Sequence, residues 1–435
     1  MNKSAILLAC GVAVLAACGG GGGGAPTPAP VPTPLPEPAP LPGVRQFVDA
    51  TAASGIGFDI GYTRLQPNPD VERIATGGVA AGDYDNDGDV DLFVTRGDIG
   101  PNLLYRNNGL GVFTDVAAAA GIAFTATATE NYRHTGPAFA DMDGDGDLDL
   151  FLGGLFGDPS FIYQNSGAAG GYTFTNVTAG SGIDTLDRAY NISSSFGDYD
   201  LDGYVDLFVA HWGTGFDLAD PGDTQHLWRN ESSGGTIRFS SVSEVAGLSP
   251  SIVTLPDPYV LRQNADWTFA ASIARIDGDL YPDIVVAADF NNSQVFLNRG
   301  DGTFDNATNV QVIIDYNGMG SALGDYDNDG DLDWFVSAIG EGNGQPVGDI
   351  GTLGNRLYRN TLGESAPEGI FVDATDAAGV ADGGWGWGAC FIDFENDGDL
   401  DIYHTNGWLG EYSDDTSRAF VSDGTGVFED EAAEL

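Results

Sequence analysis

The stretch Gly82–Val94, GDYDNDGDVDLFV, sets an aspartate at every second position from Asp83 to Asp91 and then runs straight into an apolar segment. Two carboxylates about 6 Å apart repel by roughly 3 kcal/mol at an effective dielectric near 20. Five in one tight loop would force it open or keep some of them protonated, unless a cation sits among them. The spacing suits Ca²⁺, which takes six to eight hard oxygen ligands in flexible geometry. Positions 1, 3, 5 and 9 offer side-chain oxygens (Asp83, Asp85, Asp87, Asp91), position 6 is the turn glycine Gly88, and position 7, Asp89, offers its backbone carbonyl. The loop is not an EF-hand: position 12 is Val94, and a strand pattern follows where a helix would be needed. Mg²⁺ fits less well, because it demands a strict octahedron and keeps its waters.

The motif recurs from Asp141 (DMDGDGDLDLFL), Asp198 (DYDLDGYVDLFV), Arg275 (RIDGDLYPDIVV), Asp325 (DYDNDGDLDWFV) and Asp393 (DFENDGDLDIYH). The second loop has Asp141, Asp143, Asp145, Asp147 and Asp149. The third has Asp198, Asp200, Asp202, Tyr204 and Asp206, so its position 7 can serve only through the carbonyl. The fifth has Asp325, Asp327, Asp329, Asp331 and Asp333, and the sixth Asp393, Glu395, Asp397, Asp399 and Asp401. The fourth is degenerate. It keeps Asp277, Asp279 and Asp283 but has Arg275 at position 1 and Leu280 in place of the turn glycine. A guanidinium cannot ligate a cation, so no metal is expected there, and Arg275 is expected to pair with Asp277 or Asp279. The reading is about five Ca²⁺ per chain.

Each loop is followed by a second module (NLLYRN at Asn102, FIYQN at Phe161, HLWRN at His226) and a third (VFTDVAAAAGI at Val112, TFTNVTAGSGI at Thr173). Every unit thus supplies about four short strands with Gly and Asn in the turns. Four-stranded units repeated in this way predict an all-β propeller, whose blades bury against one another a face that none could bury alone. Six repeats are complete. A seventh third-module, FVDATAASGI from Phe47, adds an extra strand. The ring is therefore six-bladed with a spare strand or seven-bladed with one blade incomplete, and the second is favoured.

The loops, the LYRN strands and the FxDVT…GI strands, in that order, resemble the FG-GAP/VCBS repeats of integrin α-subunit propellers, and most of all the bacterial relatives of cartilage acidic protein. The resemblance runs from Gln46 to the C-terminus. It implies a calcium-binding propeller in which the N-terminal strand completes the last blade and latches the ring.

The 435 residues carry 64 acidic and 16 basic side chains, a net charge of −48. Such a chain repels nucleic acid and anionic membrane surfaces. Its 42% hydrophobic content nevertheless argues for a folded core. Residues 1–18, MNKSAILLACGVAVLAAC, read as a secretory signal, and LAAC resembles a lipoprotein signal in which Cys18 becomes the lipidated N-terminus. Residues 19–43 are a Gly/Pro-rich linker whose proline part extends at about 3.1 Å per residue. The propeller occupies 44–435. Only Cys390 lies within it, so no disulfide is expected.

Other signals in the chain are weaker. RGD at Arg96–Asp98 and Arg299–Asp301 arises readily in Gly/Asp-rich loops. His134, His211, His226 and His404 are read as lying in different repeats without zinc spacing. Trp385 and Trp387 are expected to pack near the propeller axis rather than stack on a sugar. No nucleophile elbow or phosphate loop is present. The expectation is a non-catalytic, lipid-anchored, calcium-binding propeller of a bacterial cell envelope, outer membrane by preference, that binds a protein or polysaccharide. The alternative is a calcium-dependent polysaccharide lyase or hydrolase on the same scaffold.

Overall fold

The computed structural model describes residues 47–63, 77–186, 190–212, 225–249, 252, 266–340, 354–364, 369–408 and 415–432. The signal segment with Cys18 and the linker 19–43 lie outside the described residues. Six antiparallel sheets of four strands span 78–115, 134–176, 191–241, 268–306, 318–373 and 386–430. They form the blades of a β-propeller, numbered 1 to 6 here. Within each sheet the strands lie side by side in chain order.

Second strands are the most buried, because each has a strand on both sides and a blade on both faces. Asp149–Gly154, Asp206–His211, Asp283–Ala288 and Asp333–Ala338 are buried at every residue. This is why they read as unbroken apolar runs rather than alternating ones. The first strands of successive blades contact one another and so line the axis. Their small residues permit the approach: a Cβ on Gly320 would lie 2.4 Å from the Trp387 carbonyl oxygen. Hydroxyls lace these strands together, with Ser193 Oγ donating to the Phe269 carbonyl (2.6 Å) and Ser194 Oγ to that of Gly136 (2.9 Å).

The cores lie between blades. Phe93 and Leu104 of blade 1 pack with Leu150, Tyr163 and Phe174 of blade 2, and Phe208 and Leu227 of blade 3 with Ile284, Phe296 and Phe304 of blade 4. Each fully buried Phe or Leu contributes about 1.5–3 kcal/mol, and no blade has a comparable core of its own.

The N-terminal segment departs from expectation. Residues 47–50 form no strand, so the extra strand does not pair. The segment still takes the place of a fourth strand and its helical turn ahead of blade 1. Tyr84, Tyr199 and Tyr326 of one blade each meet the fourth-strand phenylalanine of the next (Phe174, Phe304, Phe428), and Phe394 of blade 6 meets Phe47 at 5.7 Å in the same way. Gly121 and Gly379 lie against the carbonyls of Phe174 and Phe428, and Gly55 lies against that of Phe113. Phe47 is 59% exposed, whereas Phe174 is 5% exposed, because no neighbouring strand covers it. Ile56 and Phe58 cover the outer side of blade 1 instead. Among the described residues the structure contains six four-stranded blades, and the favoured seven-bladed reading has no seventh sheet behind it.

Cys390 on the first strand of blade 6 is disulfide-bonded, contrary to the expectation of no disulfide.

Candidate metal centres

Each acidic loop is the hairpin turn between the first and second strands of its blade. Register pairs Gly82 with Asp91, Gly197 with Asp206 and Gly324 with Asp333, so the residue before position 1 faces position 9. All six loops therefore emerge at one end of the propeller. Position 1 organises the turn: Asp83 accepts the backbone N–H groups of Asp87 (3.0 Å) and Gly88 (2.9 Å), and Asp198 and Asp325 act likewise. The turn glycine is needed for backbone reasons, since Gly88, Gly203 and Gly330 have φ of 96°, 95° and 99°.

In four loops three carboxylates converge, each offering an oxygen within 4.8 Å of the other two. These are Asp83, Asp85 and Asp91; Asp141, Asp143 and Asp149; Asp198, Asp200 and Asp206; and Asp325, Asp327 and Asp333. The donors thus come from positions 1, 3 and 9. Position 5 (Asp87, Asp145, Asp202, Asp329) does not join these groups. In the sixth loop, Asp393, Glu395 and Asp401 do not meet within that distance, and position 3 there is a glutamate, one methylene longer than its counterparts.

Burial raises the position-9 carboxylates most: Asp149 and Asp206 to about 8, Asp91 and Asp333 to about 7, all chiefly through desolvation. Position 3 is raised for the same reason in Asp85, Asp143 and Asp327. Asp85 Oδ1, Asp143 Oδ1 and Asp327 Oδ1 are buried and accept no hydrogen bond. A buried, unpartnered anionic oxygen is costly unless a cation meets it. Hard oxygens, convergent anions and orphaned acceptors fit a Ca²⁺-type ion.

Position 9 has a second role that the sequence reading missed. Asp206 accepts the N–H groups of Tyr199 (3.1 Å) and Asn230 (2.7 Å), tying the loop to the third strand. Asp283 does the same for Ile276 (3.0 Å) and Asn298 (2.8 Å), which accounts for its presence in the degenerate fourth loop. That loop gathers no carboxylate triad. Its positive φ falls on Gly278 (81°), so Leu280, in place of the turn glycine, carries no such strain. The expected pairing is not formed, however. Arg275 is exposed and makes no ion pair with Asp277 or Asp279.

Two further residues were missed. The asparagine closing the third strand reaches into the preceding blade. Asn298 Nδ2 donates to the Tyr199 carbonyl (2.8 Å) and to that of Pro282 (2.9 Å), and Asn165, Asn230 and Asn360 repeat the pattern. The recurring N of YRN, YQN and WRN was its signal. Position 7, expected to serve through its backbone carbonyl, links adjacent loops with its side chain at two places: Asn86 Nδ2 donates to Asp147 (2.7 Å) and Asn328 Nδ2 to Asp399 (2.9 Å).

The RGD segments serve local structure. Arg96 Nε donates to the Asp59 carbonyl (2.8 Å), Asp98 accepts the Thr63 N–H, and Arg299 pairs with Asp305 at 2.6 Å. His211 and His226 are not in different repeats, as had been read: both lie in blade 3, their ring centroids 4.8 Å apart. Trp387 joins the apolar cluster of Trp212, Trp267, Phe269 and Met319 near the axis, as expected.

A family model described as FG-GAP-like repeat matches residues 79–152 and 275–336. Cartilage acidic protein 1 of Mus musculus is 24% identical to this chain over 317 residues, covering 65% of the chain and 41% of the mouse protein. The chain therefore spans about two-fifths of that relative. Among solved structures, an Agrocybe aegerita lectin recognising non-reducing terminal N-acetylglucosamine is similar at 16% identity and a TM-score of 0.44, over 81% of this chain and 78% of the lectin. The V. cholerae biofilm matrix protein Bap1 is similar at 12% identity and a TM-score of 0.34, over 81% and 68%. A Bacillus licheniformis rhamnogalacturonan lyase is similar at 14% identity and a TM-score of 0.26, over 81% and 50%.

Proposed function

We propose that this chain is a non-catalytic, calcium-stabilised propeller of the bacterial cell envelope, held by a lipid on Cys18, which binds a protein or polysaccharide through loops at one end. The observation that carries the calcium reading is the unpartnered buried oxygen at position 3 beside two further carboxylates in blades 1, 2 and 5. Asp83, Asp85 and Asp91, and their counterparts in the other three triads, would hold the ion. The bound ion supplies charge neutralisation and ties the hairpin to its strands, with no bond-making role. For affinities of about 10⁻⁴ to 10⁻³ M, typical of extracellular modules, millimolar Ca²⁺ adds on the order of 1 kcal/mol per site.

The test is thermal unfolding of the full chain with millimolar Ca²⁺ and after chelation with EGTA. A clear fall in Tm on chelation is expected, and an unchanged Tm would sink the calcium reading. The anchor is tested separately: Cys18→Ser should release the protein from membranes, and fully soluble wild-type protein would refute it. A pulldown from envelope extracts, set beside a glycan array and repeated without Ca²⁺, would identify the ligand class. Hydrolysis or lyase activity on an array polysaccharide would overturn the non-catalytic reading.

A further inference from the structure

The residue before the closing position of each third strand varies from blade to blade: Arg106, Gln164, Arg229, Leu297, Arg359 and Val421. In blades 2 and 3 its side chain hydrogen-bonds the acidic loop of the same blade. Gln164 Nε2 donates to Asp143 Oδ2 (2.5 Å), leaving Asp143 Oδ1 unpartnered. In blade 3 the same place holds a full positive charge. Arg229 Nε lies 2.6 Å from Asp200 Oδ2, and its Nη2 lies 3.1 Å from Asp202 Oδ2. Asp200 belongs to that blade's converging triad. Arginine alone is not decisive. Arg359 of blade 5 pairs closely with Glu364 (2.7 and 3.3 Å), only loosely with Asp329 of the loop (3.9 Å), and leaves Asp327 Oδ1 unpartnered. Arg106 of blade 1 is exposed and makes no ion pair among the described residues.

We propose that Arg229 is a built-in counter-cation that sets the divalent-ion affinity of the third loop below those of the first, second and fifth. The proposal rests on the calcium reading above. An incoming ion must either displace the guanidinium from Asp200 or bind beside a fixed positive charge, and both oppose binding. The Arg229 side chain is 42% exposed, so it can swing into water. The loop therefore fills at higher ion concentration rather than staying closed. Glu364 acts in the opposite sense, holding Arg359 to a loose contact with the fifth loop.

Calorimetric titration of the full chain with Ca²⁺ alone, after chelation and desalting, tests this in the wild type, in Arg229→Gln, which copies blade 2, and in Glu364→Gln, which frees Arg359. The wild type should show a tight class and one site weaker by about tenfold, or ~1.4 kcal/mol. Arg229→Gln should merge the weak site with the tight class at unchanged stoichiometry, and Glu364→Gln should move one tight site into the weak class. Isotherms that neither substitution alters would overturn the proposal while leaving calcium binding intact. Loss of a tight site in Arg229→Gln would overturn it as well, circular dichroism having shown that the variant folds. Absence of binding in all three proteins would remove the calcium reading and this proposal with it.

Discussion

At the scale of single residues, the sequence disclosed which carboxylates belong to each loop but not how they divide their work. Positions 1, 3 and 9 converge, position 5 stays outside the triads, and position 7 reaches the neighbouring loop. Spacing alone says that a side chain is nearby, whereas its direction depends on the positive φ at positions 4 and 6 (Asn86 at 55°, Gly88 at 96°). The position-9 carboxylates also give a pH signature. Burial raises Asp149 and Asp206 to about 8 and Asp91 and Asp333 to about 7, against an unfolded value near 3.9. Between about pH 4 and 8 the ion-free folded state therefore holds protons that the unfolded chain has released, and its stability falls as pH rises through that window. Ca²⁺ competes with those same protons, so the loaded protein should gain stability over the same range. Melting temperatures at pH 5, 6, 7 and 8, with and without Ca²⁺, should slope in opposite directions. Parallel slopes would contradict the assignment of these carboxylates to the metal.

At the scale of elements, strand order and the hairpin position of the loops were legible because the second strands are apolar runs and the loops repeat. What joins one blade to the next was not, since an asparagine at a strand end looks like any turn residue. Asn298 shows its weight: it is buried, and its amide bridges the Tyr199 carbonyl of blade 3 and the Pro282 carbonyl of its own blade. Asn107, closing the third strand of blade 1, is equivalent in sequence but donates only within its blade, to Val90 (3.1 Å). Asn298→Ala leaves two carbonyls without this donor and should cost about 3 kcal/mol, and Asn107→Ala about 1 kcal/mol less or smaller still. Urea denaturation compares them, and equal losses would mean that the inter-blade bond contributes nothing. His211 and His226 teach the same lesson from the other side, for they meet only because the second and third strands of one blade are neighbours.

For the whole molecule, six blades were countable from six loops, but the manner of closure depended on contacts between distant parts of the chain. Four ions would return only eight charges against a net −48, so the assembled ring stays strongly acidic whether loaded or not. Its first and last blades are bridged by residues 47–61. Phe47 meets Phe394 at one end, and at the other Tyr105 exchanges hydrogen bonds with Gly57 (3.3 and 3.1 Å). Phe47→Ala should lower global stability by only about 1 kcal/mol, the scale of an aromatic pair. Hydrogen exchange should nevertheless quicken at 393–401, and unchanged protection there would show that the contact does not hold the seam. The same bridge fixes how the ring answers mechanical load. A pull applied at Phe47 itself meets a ring contact with no strand ladder behind it, and beyond that the paired bonds at Tyr105. Elsewhere the same force would have to strip hydrogen-bonded strands from a four-stranded sheet. The segment thus gives way in two steps, ring contact before hydrogen bonds, and spares the blades, as a fuse spares its circuit.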